Sequence, residues 1–210
     1  MNRPILRLAL ALGCPAAACA DYSFDAAIRY GFVDTGLSTQ HLASPEFSVY
    51  RAFGESGTQA IGFTYATFKW SDDSVLKTPP PPGGADFVYE IDRSGSVRWN
   101  VFFLGYRHSI PISKSWTLVL SPRLGAAKGS ESGTVTSLGG ITGIMVLPYT
   151  ADSAWRLAAE AQACLKWQIA EGWHSQFGVA FTHLQNRNSN LPLAKSISSM
   201  QGVLGVSYSF

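Results

Sequence analysis

The sequence predicts an all-β fold: an eight-stranded antiparallel up-and-down transmembrane β-barrel, with tight turns at one end and long loops at the other. Three observations carry this. Apolar and polar residues alternate along most of the chain, the period of a strand with one greasy face. Short connections (54–57, 111–115 and 170–172) alternate strictly with long ones (35–45, 71–97, 128–153 and 185–196). The chain also ends in a strand rather than a tail, because Met200, Gly202, Leu204, Val206, Tyr208 and Phe210 share one parity. A terminus that greasy must be paired to recover its ordering entropy.

Residues 1–20 read as a signal peptide. Arg3 and Arg7 supply positive charge, 8–13 a short apolar core, and Ala18-Cys19-Ala20 a small-x-small cleavage site, so the mature domain is 21–210. Lipidation at Cys14 or Cys19 is the alternative processing. With cleavage after Ala20, Cys164 stands alone and no disulfide framework exists.

The expected strands follow in order. The first (22–33) sets Phe24, Ile28, Tyr30 and Phe32 against Asp25, Arg29 and Gly31. The second (46–53) separates its faces poorly, since Arg51 shares the parity of Phe47, Val49 and Phe53. The third (58–70) groups Ile61, Phe63 and Tyr65. The fourth (98–110) groups Phe102, Leu104, Tyr106 and Ile110 opposite Phe103, Gly105 and Arg107. In the fifth (116–127), Pro122 removes one ladder donor and predicts a local bulge. The sixth (154–169) is the most regular: Trp155, Leu157, Ala159, Ala161, Ala163, Leu165, Trp167 and Ile169 oppose Arg156, Glu160, Gln162, Lys166 and Gln168. Its alanine content also fits an amphipathic helix, but eight apolar residues in strict alternation favour the strand. The seventh (173–183) and eighth (200–210) alternate again. The apolar patch at 141–147 fits a loop hairpin, a lumen plug or an exposed contact.

Charged residues make up 14% of the chain, against roughly 25% in soluble domains. A net charge of +2 without a basic stripe excludes a nucleic-acid partner. No run of eighteen apolar residues follows the signal, which leaves strands of about nine to eleven residues as the way across a bilayer. Asp25, Arg29, Arg123, Arg156, Glu160 and Lys166 all lie opposite the aromatic faces. Arg or Lys facing lipid at the midplane costs about 2–4 kcal/mol, so these six are expected inside the lumen, paired as a plug rather than lining an ion path. Trp70, Trp116, Trp155, Trp167, Trp173 and Tyr208 fit interfacial girdles. An even strand number puts both termini on the turn side.

In these features the chain resembles the small eight-stranded outer-membrane barrels, the group of OmpX and the OmpA transmembrane domain. The most specific match is Gly205-Val-Ser-Tyr208-Ser-Phe210, similar to the terminal assembly signal, although Leu204 stands where that signal prefers a polar residue. The resemblance implies a bacterial outer-membrane location with periplasmic turns and extracellular loops. It also implies that Gly205, Tyr208 and Phe210 are read by the barrel-assembly machinery, and that outer-membrane lipid and lipopolysaccharide surround the chain. PagL-type lipid A deacylases share the architecture and carry His-x-Ser-Asn on the lipid-facing exterior. The matching stretch here is His183-Leu184-Gln185-Asn186. Gln185 occupies the nucleophile's place, where an amide cannot attack, and no acid follows Glu171. His183 is thus the single catalytic candidate, without its partners. His41, His108 and His174 have no metal-ligand spacing, and neither a metal nor a cofactor is expected.

The expected function is a non-enzymatic surface scaffold or adhesion module acting through its long external loops on a partner the sequence does not identify. The alternatives are a deacylase-like barrel enzyme and a secreted lipocalin-like carrier. The parity that faces outward separates the last from the others.

Overall fold

The computed structural model describes residues 22–34, 39–54, 57–78, 89–138, 144–185 and 197–210, with 72–93 and 137–145 followed in backbone alone where they belong to strands. The expected signal peptide, the two processing cysteines and the proline run at 79–82 lie outside the described residues.

The strands are β1 (Tyr22–Asp34), β2 (Thr39–Phe53), β3 (Gln59–Thr78), β4 (Tyr89–Pro111), β5 (Trp116–Leu138), β6 (Ile144–Asp152), β7 (Arg156–Ala170), β8 (Trp173–Leu184) and β9 (Ile197–Ser209). All pairings are antiparallel between chain neighbours, apart from β1 with β9 and β5 with β7. These close an eight-stranded wall, because β6 continues the line of β7 and, among the described residues, pairs only with β5.

Following one hydrogen-bonded row around the wall gives its shear. The row runs Phe24, Val49, Phe63, Leu104, Leu124, Ala159, His183, Ser198 and returns to β1 at Asp34, ten residues above its start. With eight strands this offset tilts them about 40° and sets a radius of about 8 Å. Such a lumen holds side chains and no open pore.

Around the middle of the wall the outward parity is apolar, with Phe63 and Leu124 each 71% exposed while Arg29 is fully buried. That inversion of a soluble core suits lipid outside and removes the lipocalin-like reading. Arg51, the residue that blurred the second strand, does point outward. It sits beside the turn, over the Tyr22 ring at 5.8 Å, where a long cation reaches the interface.

The strands run further than alternation suggested. Segment 35–45 was expected as a long loop, but β1 continues to Asp34 and β2 begins at Thr39. Likewise 71–97 and 128–153 are largely strand, with β3 and β4 paired out to Thr78↔Tyr89 and β5 and β6 out to Leu138↔Ile144. The described part of the 141–147 patch is therefore hairpin strand, with Val146 and Leu147 exposed, and not a lumen plug. β2 follows β3 only to Ala43↔Lys69. Hence β3, β4, β5 and β6 project as a four-stranded sheet past the other described strands. Along β3 the nine residues beyond Lys69 add about 30 Å.

Two local corrections concern register. Pro122 produces no bulge: the β4–β5 register is the same on both sides of it, and only the ladder is interrupted. The bulge lies elsewhere. Ser130 opposes Asp152 and Ala127 opposes Arg156, so two residues of β5 face three between β6 and β7. Ser153 fastens it, its N–H donating to Gly129 O at 2.9 Å while its Oγ accepts from Gly129 N–H at 2.8 Å. Ala154 and Trp155 consequently both point outward.

The C-terminus is paired at its last residue. Phe210 N–H donates to Tyr22 O at 3.1 Å, and its ring packs on Phe24 at 5.7 Å and Tyr208 at 4.9 Å. At Gly205 a Cβ would lie 2.4 Å from Ala26 O, too close for any side chain. Deleting Phe210 should lower the fraction of heat-modifiable barrel recovered from membranes several-fold. Insertion at the normal level would count against a role for the terminal ring in closure.

Candidate functional site

Inward residues follow a layered order from the turn side to the loop side. The lowest tier centres on Asp25. Its carboxylate pairs with Arg107 and accepts from Lys166 Nζ at 3.1 Å. Lys166 also donates to Ser207 Oγ at 2.8 Å, and Arg107 to Ser23 Oγ at 3.1 Å. The next tier spans the lumen. Arg29 binds Glu160 through both terminal nitrogens at 2.5 and 2.9 Å, the forked geometry that suits a carboxylate. It also pairs with Glu46. Arg123 Nη1 reaches Glu160 at 2.8 Å and both oxygens of Glu46 at 3.1 Å, and its other nitrogens donate to Tyr50 and Gln162. Thr182 adds a hydrogen bond to Glu160 at 2.8 Å.

Above these tiers the lumen turns apolar. Val33, Leu42, Phe68, Trp70, Val97, Trp99, Leu184 and Ile197 form a buried cluster at the loop-side end. Trp70 therefore belongs to this cap and not to a lipid-facing girdle, because it shares the inward parity of Ala66 and Phe68. The girdle is clearest on the turn side, where Trp116 stacks on Trp167 at 6.0 Å and Trp173 meets Tyr208 at 4.9 Å.

Of the six charges expected in the lumen, Asp25, Arg29, Arg123, Glu160 and Lys166 meet in the two tiers. Arg156 does not join them: it stands half-exposed at the rim, next to the bulge. Two members were not anticipated, Glu46 and Arg107. Glu46 opened the expected second strand, whose poorly separated faces hid its inward side, and Pro45 before it is a strand residue opposite Ile28 and not the end of a loop. The parity of Arg107, opposite Tyr106, was the available signal for the other. With them, four buried cations face three buried carboxylates among the described residues of these tiers. Tyr50 offsets the imbalance, since the Arg107 guanidinium lies 3.6 Å from its ring centroid.

The second place with chemistry is on the exterior. His183 is exposed to the lipid side, and its Nδ1 lies 3.0 Å from Ser198 Oγ, directly across the β8–β9 ladder. No linear motif reports this pair, because register and not spacing brings it together. Asp34 opposes Ser198 from β1, on the far side from the imidazole. Below His183 runs a lipid-facing groove of about 650 Å³, floored by Ala159 and Ala161 and walled by Leu104, Leu124 and Phe181. No group of three metal-binding side chains occurs among the described residues.

Replacing Glu160 by Ala takes one of the two carboxylates from Arg29 and Arg123 and leaves both to share Glu46. Breaking a buried pair from one side costs about 3–5 kcal/mol. The urea midpoint of the variant in detergent or vesicles should drop accordingly, and an unchanged midpoint would show that the tier is not stabilising.

No known protein family matches the sequence, and no curated protein matches it either. Among solved structures, the chain is similar to Neisserial surface protein A, with a TM-score of 0.55 and 10% identity over 90% of this chain and 97% of that one. The attachment invasion locus protein Ail of Yersinia pestis, bound to a heparin analogue, is matched at a TM-score of 0.47 and 13% identity over 88% and 97%. The outer-membrane enzyme PagL is matched at 0.44 and 14% over 89% and 99%. Closed eight-stranded wall, filled lumen and apolar exterior together make this chain, in fold, a small outer-membrane β-barrel protein.

Proposed function

We propose that the protein is a non-enzymatic interaction module of the outer-membrane surface, offering the projecting β3–β6 sheet to an extended segment of an external partner. Lipopolysaccharide-containing lipid surrounds the wall, and Gly205, Tyr208 and Phe210 act as the signal read by the barrel-assembly machinery. One observation carries the reading: above Lys69 the sheet has open edges, since β3 loses β2 while β6 has only β5 among the described residues. Unpaired strand edges template pairing with another chain. The lumen filled by charged tiers and an apolar cluster supports an interaction role over transport.

The two edges are not equivalent. Pro148 in β6 lacks an N–H and blunts that side. On β3, Ser109 N–H donates to Thr58 O at 2.7 Å. In a regular antiparallel ladder, even-numbered residues of β3 therefore bond to β4, and odd-numbered ones turn their amides to the open side. Val75→Pro removes one open-side donor and no β4 bond. Barrels in lipid nanodiscs, probed with an array of extended peptides, should bind a subset that Val75→Pro weakens about tenfold without loss of heat-modifiability. Equal binding by the variant, or no preference over scrambled peptides, would sink the proposal.

The His183–Ser198 hydrogen bond favours a second reading, acyl-ester hydrolysis at the lipid surface. A serine beside an imidazole is the minimal activated nucleophile, and the adjoining groove would take an acyl chain. On that reading a fluorophosphonate probe labels the wild type and not Ser198→Ala, and lipid A from cells carrying the wild type loses an acyl chain. Absence of both changes rules it out.

A further inference from the structure

Three cations stand outside the wall where β3, β4 and β5 leave the lipid-facing zone. Lys69, Arg98 and Lys128 are each exposed and flanked in sequence by buried neighbours: Phe68 and Trp70, Val97 and Trp99, Ala127 and Gly129. All three therefore point outward, on three adjacent strands. Lys69 is directly opposite Arg98. Lys128 is opposite Asn100, one diagonal step from Arg98. Like charges directly across a ladder repel, and none of the three forms an ion pair with a described carboxylate. Asp152, a carboxylate facing the same way on β6, is opposite Ser130 and so two strands beyond Arg98, and forms no ion pair with a described cation.

What lies immediately below defines the ligand. Asn100 Oδ1 accepts from Tyr65 Oη at 3.0 Å and from Thr67 Oγ1 at 3.3 Å, a polar belt on the outer face. Beneath it Tyr65 packs on Phe102 at 5.0 Å, and Phe63, Phe102 and Leu104 continue as lipid-facing apolar surface. Trp155, turned outward by the extra residue of the bulge, closes one side at 6.1 Å from Phe102. Reading downward, the order is cations, polar belt, aromatic rings, aliphatic side chains. An amphiphile with phosphate at its head presents the same sequence of chemistries.

We propose that Lys69, Arg98 and Lys128 form a binding site for the phosphates of a phosphorylated lipid headgroup in the surrounding leaflet, with Trp155 and Phe102 against its sugar and upper acyl region. The site is independent of the β3 edge, which lies further out, and of the His183–Ser198 pair on the β8–β9 side.

The test uses purified barrel in neutral detergent, examined by native mass spectrometry. Three probes are titrated: lipid A carrying both phosphates, the same lipid A dephosphorylated, and inorganic phosphate. Wild-type barrel should retain the phosphorylated lipid at least about tenfold more tightly than the dephosphorylated form. Its affinity should fall as salt is raised, as phosphate contacts require. The triple variant K69Q/R98Q/K128Q should lose that preference, and the exchange variant K69R/R98K/K128R should keep most of it. Equal retention of both lipids by the wild type, or an undiminished preference in the triple variant, overturns the proposal. Inorganic phosphate bound as tightly as the lipid overturns the headgroup assignment in favour of a free-anion site. The wild-type comparison needs no variant to fold, so the result does not hang on variant stability.

Discussion

Two arginines and two glutamates facing one another across a lumen about 8 Å in radius are the constraint on which the barrel depends. Arg29, Glu46, Arg123 and Glu160 come from β1, β2, β5 and β7, so their contacts tie opposite walls together. The register follows from this. A one-residue slip of any of these strands would put a charge into lipid and an aromatic ring into the lumen. Buried ion pairs are weak contributors to net stability but strong discriminators, because an unpaired member is so costly. Here they choose between the native shear and its neighbours.

How much of this was legible depended on where each residue sits relative to lipid. In the bilayer zone every outward side chain is under the same demand, so alternation is strict, and the faces of β1, β3, β4, β5, β7, β8 and β9 could be assigned residue by residue. Beyond that zone both faces of a strand can be polar. The alternation then disappears although the pairing continues, which is why 71–78, 89–97 and 130–138 looked like loops. The start of β2 was hidden for a related reason. Proline usually marks the end of a strand, yet Pro45 is accommodated where the β2–β3 ladder skips Ser44 and Pro45.

The candidate sites were less legible than the fold because they are made by register. Ser198 is fifteen positions from His183 and touches it only because β8 and β9 align them. Lys69, Arg98 and Lys128 come from three strands, and nothing in their spacing marks them as a set. Trp155 was expected in a girdle, but the bulge that gives it its place beside the cations leaves no simple sequence signature. Arg156, next to it, kept the parity of the lumen charges and still stands at the rim, since its position along β7 is above the tiers.

The junction of β1 with β9 has a consequence for how the molecule comes into being. Those strands are the first and last of the closed wall, and Phe210 meets Tyr22 at the seam. Ser207, the partner of Lys166 in the lowest tier, arrives only with the final strand. Until β9 meets β1, the lowest tier lacks the Ser207 hydroxyl and the curved sheet keeps an open edge at each end. Closure of the wall and completion of the interior are one event, governed by the contact of greatest sequence separation. Any factor that holds the last strand holds the whole molecule in its unfinished state, and release at that point commits all eight strands together.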